Sequence, residues 1–205
     1  YNNEKTLILP FFLCSLKRIV IRNECFGKVR VFELDGLGEL ESVEIGWGSF
    51  TYTKIFDDIR NSKRSDGSCR IVNCPKLKSI EIGGQSFSDY HSFELNNLPS
   101  LQSIVIGGYC FEKVRVFELD GLGELESVVI GKYSFRISDA ERSDGSYRIV
   151  NSPKLKSIQI GYESFDDYHS FELSNLPSLQ SIDMGVCCFY YAPSFSLTGL
   201  IDGLV

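Results

Sequence analysis

The feature that most restricts the fold of this chain is internal repetition. Segments starting at Leu16, Leu40, Leu77, Leu101, Leu125, Leu155 and Leu179 all read L-x-x-[IV]-x-[IM]-x-x-x-[SC]-F and close at Phe26, Phe50, Phe87, Phe111, Phe135, Phe165 and Phe189. Successive leucines lie 24, 37, 24, 24, 30 and 24 residues apart, so a period of 24 is interrupted by insertions within 51–67 and 136–145. Between these segments the pattern F-x-L-x-x-L-[PG] recurs at 93–99, 117–123 and 171–177. The 205 residues therefore read as a single repeat domain of seven full units and a partial unit beginning near Phe195. A unit this short cannot bury a core of its own, so neighbouring units must stack. A longer duplication lies on top, because residues 64–107 match 142–185 at 35 of 44 positions and residues 25–50 match 110–135 at 22 of 26, so a block of about three units was copied.

Within each S-[IV]-x-I-G stretch the apolar residues alternate, which is the period of a strand with one buried face. Stacking then pairs these strands into a parallel sheet along one side. The F-x-L tripeptide alternates in the same way and predicts a second short strand on the opposite side of each coil. No stretch sustains helical spacing, and Leu-Pro and Gly-Leu-Gly sites supply the corners. Of the 15 Phe residues, seven close the repeat and five (Phe32, Phe93, Phe117, Phe171, Phe195) occupy the F-x-L column, so both sets are expected inside. The recurring glycine at 46, 83, 107, 131, 161 and 185 is read as a backbone position that admits no side chain. The recurring serine at 42, 79, 103, 127, 157 and 181 is read as a hydroxyl ladder.

The L-x-x-I-x-I opening resembles that of leucine-rich repeats, and the resemblance covers nearly the whole chain. The closing Ser-Phe is similar to variant repeats of bacterial and protist surface proteins. The resemblance implies a horseshoe-like, β-rich solenoid with a parallel sheet on the concave face, short strands or turns on the convex side, little helix, and a cell-surface or extracellular setting. One departure concerns the column where that family places Asn. Here it holds Glu24, Gly48, Gln85, Tyr109, Tyr133, Glu163 and Cys187, so an asparagine ladder cannot support that turn.

Chemistry is sparsely signalled. A net charge of −6 argues against general nucleic-acid binding, which requires an excess of Lys and Arg to neutralise phosphates. The longest apolar run, from Leu7 to Cys14, is interrupted by Pro10 and is far below the roughly 20 residues of a spanning helix. His91 and His169 occupy one column three coils apart, about 14 Å at strand spacing, too far to share a metal. Neither enzymatic activity nor a cofactor is expected. Cys25, Cys110 and Cys188 are equally far apart, beyond disulfide reach. Cys69 and Cys74 read as small core residues, with a bridge between them left open.

Variation between otherwise similar units points to the working surface. One outward column runs Val20, Glu44, Glu81, Val105, Val129, Gln159, Asp183, and another Asn23, Trp47, Gly84, Gly108, Lys132, Tyr162, Val186. Both are expected on the concave sheet face, with Glu44, Trp47, Glu81, Lys132, Gln159, Tyr162 and Asp183 as the partner-binding set and the aromatics as anchors. Partial burial beneath the first insertion is an equal reading for Trp47. The expected function is a non-enzymatic scaffold for a protein partner. The alternative is a structural subunit of a fibre or surface layer in which copies of the chain assemble end to end.

Overall fold

The computed structural model describes residues 6–9, 13, 15–51, 66–136 and 145–199, and within these every regular element is a strand. One strand of each coil joins a first wall, a parallel seven-stranded sheet. Its members are β2 (Arg18–Ile21), β4 (Ser42–Ile45), β6 (Ser79–Ile82), β8 (Ser103–Ile106), β10 (Ser127–Ile130), β12 (Ser157–Ile160) and β14 (Ser181–Met184), side by side in chain order. The register is constant, so Ser pairs with Ser and Ile with Ile from coil to coil. Val43, Ile80, Ile104, Val128 and Ile158 point inward and are buried, while the residues on either side of each stay wholly or partly exposed or begin the next inward step. The alternation of the sequence is thus the alternation of the sheet faces.

The opposite wall consists of two four-stranded parallel sheets. β1 (Thr6–Leu9), β3 (Val31–Asp35), β5 (Ser68–Val72) and β7 (Ser92–Asn96) form one, and β9 (Val116–Asp120), β11 (Gly145–Val150), β13 (Tyr168–Ser174) and β15 (Ser194–Thr198) form the other. β7 and β9 belong to successive coils, yet no strand pairing joins them. The second wall is therefore split in the middle while the first wall runs on unbroken.

Between the walls the aromatic columns stack. Phe50, Phe87, Phe111, Phe135 and Phe165 are fully buried, with ring centroids 4.6, 5.2, 5.2 and 4.9 Å apart in order. Phe26, Phe93 and Phe195 depart from the expected burial. Phe26 and Phe195 lie on the outermost described coils and are 45% and 56% exposed, and Phe93 is half-buried at the split in the second wall. Corners form where expected: the amides of Leu77, Leu101, Leu155 and Leu179 bond to carbonyls three residues earlier, and Gly36 and Gly121 take φ of 70° and 67°.

The recurring glycine is a close-approach position. A Cβ on Gly107 would stand 2.4 Å from the Gly84 nitrogen, and one on Gly131 2.4 Å from the Gly108 nitrogen. The hydroxyl ladder lies in a different column, seven residues after the position expected. Ser49 Oγ donates to the Arg22 carbonyl at 2.9 Å and accepts from the Cys25 amide at 3.2 Å, and Ser86, Ser134 and Ser164 repeat the donation. These buried serines satisfy turn backbone that would otherwise be orphaned. An asparagine ladder does exist, at the far corner of the second wall, where Asn73 donates to Asp35 at 2.7 Å and Asn97 to Asn73 at 2.8 Å. Cys69 and Cys74 are buried and unbridged. Most of both insertions lies outside the described residues.

Candidate interaction surface

The outward column of the first wall is the one read from the repeat. Val20, Glu44, Glu81, Val105, Val129, Gln159 and Asp183 are register partners in succession. Glu81, Gln159 and Asp183 are exposed, and Glu44 is partly exposed with its carboxylate 2.5 Å from the Arg18 guanidinium. The centre of the column, Val105 and Val129, is apolar, with Glu81 next to it on one side and Gln159, then Asp183, on the other.

The second column is displaced from the sheet. Trp47, Gly84, Lys132, Tyr162 and Val186 follow the strands rather than belonging to them, so they sit in the turns and form a rim beside the sheet face. The close-approach glycine causes this, because it brings the chain against the preceding coil before it turns. Trp47 is 43% exposed and lies along the neighbouring turn, with Cδ1 3.6 Å from where a Cβ on Gly84 would stand. Tyr162 is 40% exposed. Four coils separate these two aromatics, about 19 Å at strand spacing, so they belong to one rim but not to one pocket. Glu44 and Glu81 are direct neighbours, as are Gln159 and Asp183.

Sequence reading overlooked Tyr109 and Tyr133. They occupy the column otherwise noted only for lacking Asn, and both have left-handed backbone, φ 62° and 59°. Their rings stack at 4.7 Å, and Tyr133 meets Tyr162 edge-on at 5.3 Å. Lys132 Nζ lies 5.9 Å from the Tyr109 ring centre and the Arg136 guanidinium 5.7 Å from that of Tyr133. Arg136 also reaches Glu163 at 3.0 Å and Asp166 at 3.5 Å. The Tyr162 hydroxyl is pushed up to about 12, chiefly by donating to the Glu163 carboxylate and then by that group's charge. It stays a neutral donor across the ordinary pH range. The signal available in the sequence was a pair of aromatics at one column in consecutive copies.

Comparison with protein-family models, with curated proteins and with solved structures finds no match. What the surface can do is therefore argued from its own residues. It offers a two-valine strip between Glu81 and Gln159 and a rim of stacked aromatics with two cations.

Proposed function

We propose that this chain is a non-enzymatic scaffold, a horseshoe-like solenoid of leucine-rich-repeat type whose first wall is the concave face that holds a protein partner. The observation that supports this most is the rim of Trp47, Tyr109, Tyr133 and Tyr162, half exposed beside a sheet face whose outward column varies from coil to coil. Aromatic and arginine side chains dominate interface energetics because they bury large area with few rotatable bonds. Glu44, Trp47, Glu81, Lys132, Gln159, Tyr162 and Asp183 are the contact set in this reading, with Tyr109 and Tyr133 added. In a capture experiment, Trp47→Ala with Tyr162→Ala should abolish retention of the partner while the melting temperature stays within a few degrees. Retention equal to that of the unchanged protein would remove this face from consideration.

A second reading is self-assembly into a fibre or surface layer. It is favoured by the last described coil, where Val186, Tyr190 and Phe195 are 70%, 68% and 56% exposed and offer an apolar face to another coil or another copy. Concentration-dependent filaments in negative-stain images would favour it, and a concentration-independent monomer would count against it.

A further inference from the structure

The charge pattern of the second wall changes at its split. β3, β5 and β7 carry Glu33, Arg70 and Glu94 side by side, and β9, β11 and β13 carry Glu118, Arg148 and Glu172. Each arginine lies between two glutamates. Arg70 reaches Glu33 at 2.5 Å and Glu94 at 3.2 Å, and Arg148 reaches Glu118 at 2.6 Å and Glu172 at 3.2 Å. At the split Glu94 is followed by Glu118, with no arginine strand between them. A cleft of about 530 Å³ opens there, lined by Phe93, Glu94, Leu95 and Asn96 on one side and by Val116, Glu118 and Asp120 on the other. That volume is in the range of ligand-holding clefts. Phe93 is half-buried in its wall, whereas Phe32, Phe117 and Phe171 in the same column are fully buried.

The width of the cleft selects its occupant. β7 and β9 still approach within 8 Å at Cα, while an inserted strand would require two sheet spacings, about 9.6 Å. A side chain enters and a backbone does not. We propose that the cleft between β7 and β9 receives an arginine side chain from an extended segment of a protein partner, held between Glu94 and Glu118 over the Phe93 ring. Within each half a strand-borne arginine lies between two glutamates of this column and its guanidinium reaches both, which is the internal precedent for a guanidinium shared by two carboxylates. Each half of the wall sets three carboxylates against one arginine, so the carboxylates beside the cleft outnumber the arginines bonded to them. A planar guanidinium can bond to both carboxylates while lying on an apolar floor. A compact, strongly hydrated ammonium or divalent cation makes poor use of that floor. The site is on the wall opposite the aromatic rim and does not depend on the function proposed above.

The test is titration of the ¹⁵N-labelled full chain with acetyl-Gly-Arg-Gly-amide, followed by NMR. Shifts should concentrate at Phe93–Asn96 and Val116–Asp120, be weaker with the lysine peptide and vanish with the citrulline peptide. Glu94→Gln or Glu118→Gln should lower affinity roughly tenfold or more, the worth of about one charge-assisted bond. Glu33→Gln, which strips Arg70 of a partner on the side away from the cleft, should leave affinity unchanged, and so should Trp47→Ala. The proposal is overturned if the arginine peptide shifts nothing in these segments, or if the citrulline peptide binds equally. It is also overturned if Glu33→Gln weakens binding as much as Glu94→Gln, or if Mg²⁺ occupies the cleft and the arginine peptide does not displace it.

Discussion

The rings of Phe93 and Phe117 stand 6.0 Å apart, whereas the next steps of the same column, Phe117 to Tyr147 and Tyr147 to Phe171, are both 5.1 Å. The extra width is confined to the second wall, because the same two coils remain paired through β6 and β8. Glu94 and Glu118 occupy matching positions at this step, and like charges placed side by side oppose pairing. Like charge alone does not part strands, since Glu44 and Glu81 are neighbours in an intact step where Arg18 offsets one of them, while Glu94 and Glu118 are each bonded to the arginine of their own half. At the split Asp120 adds a third carboxylate. By contrast, Glu172 beside the neutral Ser196 is a paired step.

Amide exchange tests this cause. The hydrogen-bond direction that runs from Ser146 to Arg115 puts the amides of Phe117 and Leu119 toward β11, and those of Val116 and Glu118 toward the split. Val116 and Glu118 should therefore exchange at least tenfold faster than Phe117 and Leu119, because they lack a strand partner. Glu94→Thr, which removes one charge and adds a residue suited to strands, should narrow that difference. An unchanged pattern in Glu94→Thr would assign the split to packing rather than charge.

How much of this was legible follows from what periodicity encodes. The walls, their register, the aromatic column and the close-approach glycine all repeat every coil, so Leu77, Ile80, Ile82, Gly83 and Phe87 state their roles in their spacing. The split does not repeat. It arises where one three-unit block meets its copy, so it is visible only when Glu94 and Glu118 are compared across the junction. The outward face was half legible. Glu44 and Gln159 lie on the sheet as expected, but Trp47 and Tyr162 were assigned to it and belong to the rim, because the glycine ahead of each turns the chain early. The hydroxyl ladder was assigned to Ser42 and its equivalents because they repeat most faithfully, yet turn geometry decides the matter in favour of Ser49.

Stability should fall in acid through two corner carboxylates. Asp35 and Asp120 are held below the usual carboxylate range, first by hydrogen bonds from Asn73 and Asn151 and then by Arg70 and Arg148. A carboxyl group whose folded value is depressed stabilises the fold fully above its unfolded value, near 3.9, and loses that contribution as pH falls through the folded value. The melting temperature should thus drop as pH falls below about 4. In ¹³C NMR titrations the Asp35 and Asp120 carboxyls should protonate below the ordinary aspartate value, and Asn73→Ala should raise Asp35 while leaving Asp120 in place.

Two glycines separate steric need from mere repetition. Gly107→Ala would drive a methyl group to 2.4 Å from the Gly84 backbone nitrogen, and coils locked by strand pairing cannot move apart locally. About 3 kcal/mol or more of destabilisation is expected, at the upper end of overpacking effects. At Gly123 nothing lies within 4 Å of the added methyl, so Gly123→Ala should change stability by less than about 0.5 kcal/mol. Denaturant unfolding of the two variants checks both signs, and equal effects would contradict the coil spacing described above.

Two buried tyrosines should respond in opposite directions to loss of the hydroxyl. Tyr147 and Tyr168 are both fully buried, and burial pushes both phenols well above their ordinary range. Tyr168 Oη donates to the Val114 carbonyl at 2.7 Å and so ties together coils two steps apart in the stack. Tyr147 Oη has no hydrogen-bond partner, although its ring is stacked between Phe117 and Phe171 at 5.1 Å on each side. A buried hydroxyl without a partner costs about 1 to 3 kcal/mol, and a satisfied one contributes about 1 kcal/mol net. Tyr147→Phe should therefore raise the unfolding free energy by about 1 kcal/mol, because the ring contacts survive and only the stranded group is removed. Tyr168→Phe should lower it by a similar amount, since the Val114 carbonyl loses its donor. Chemical denaturation with unchanged m-values is the check, and loss of stability in Tyr147→Phe would show that its hydroxyl is bonded in solution.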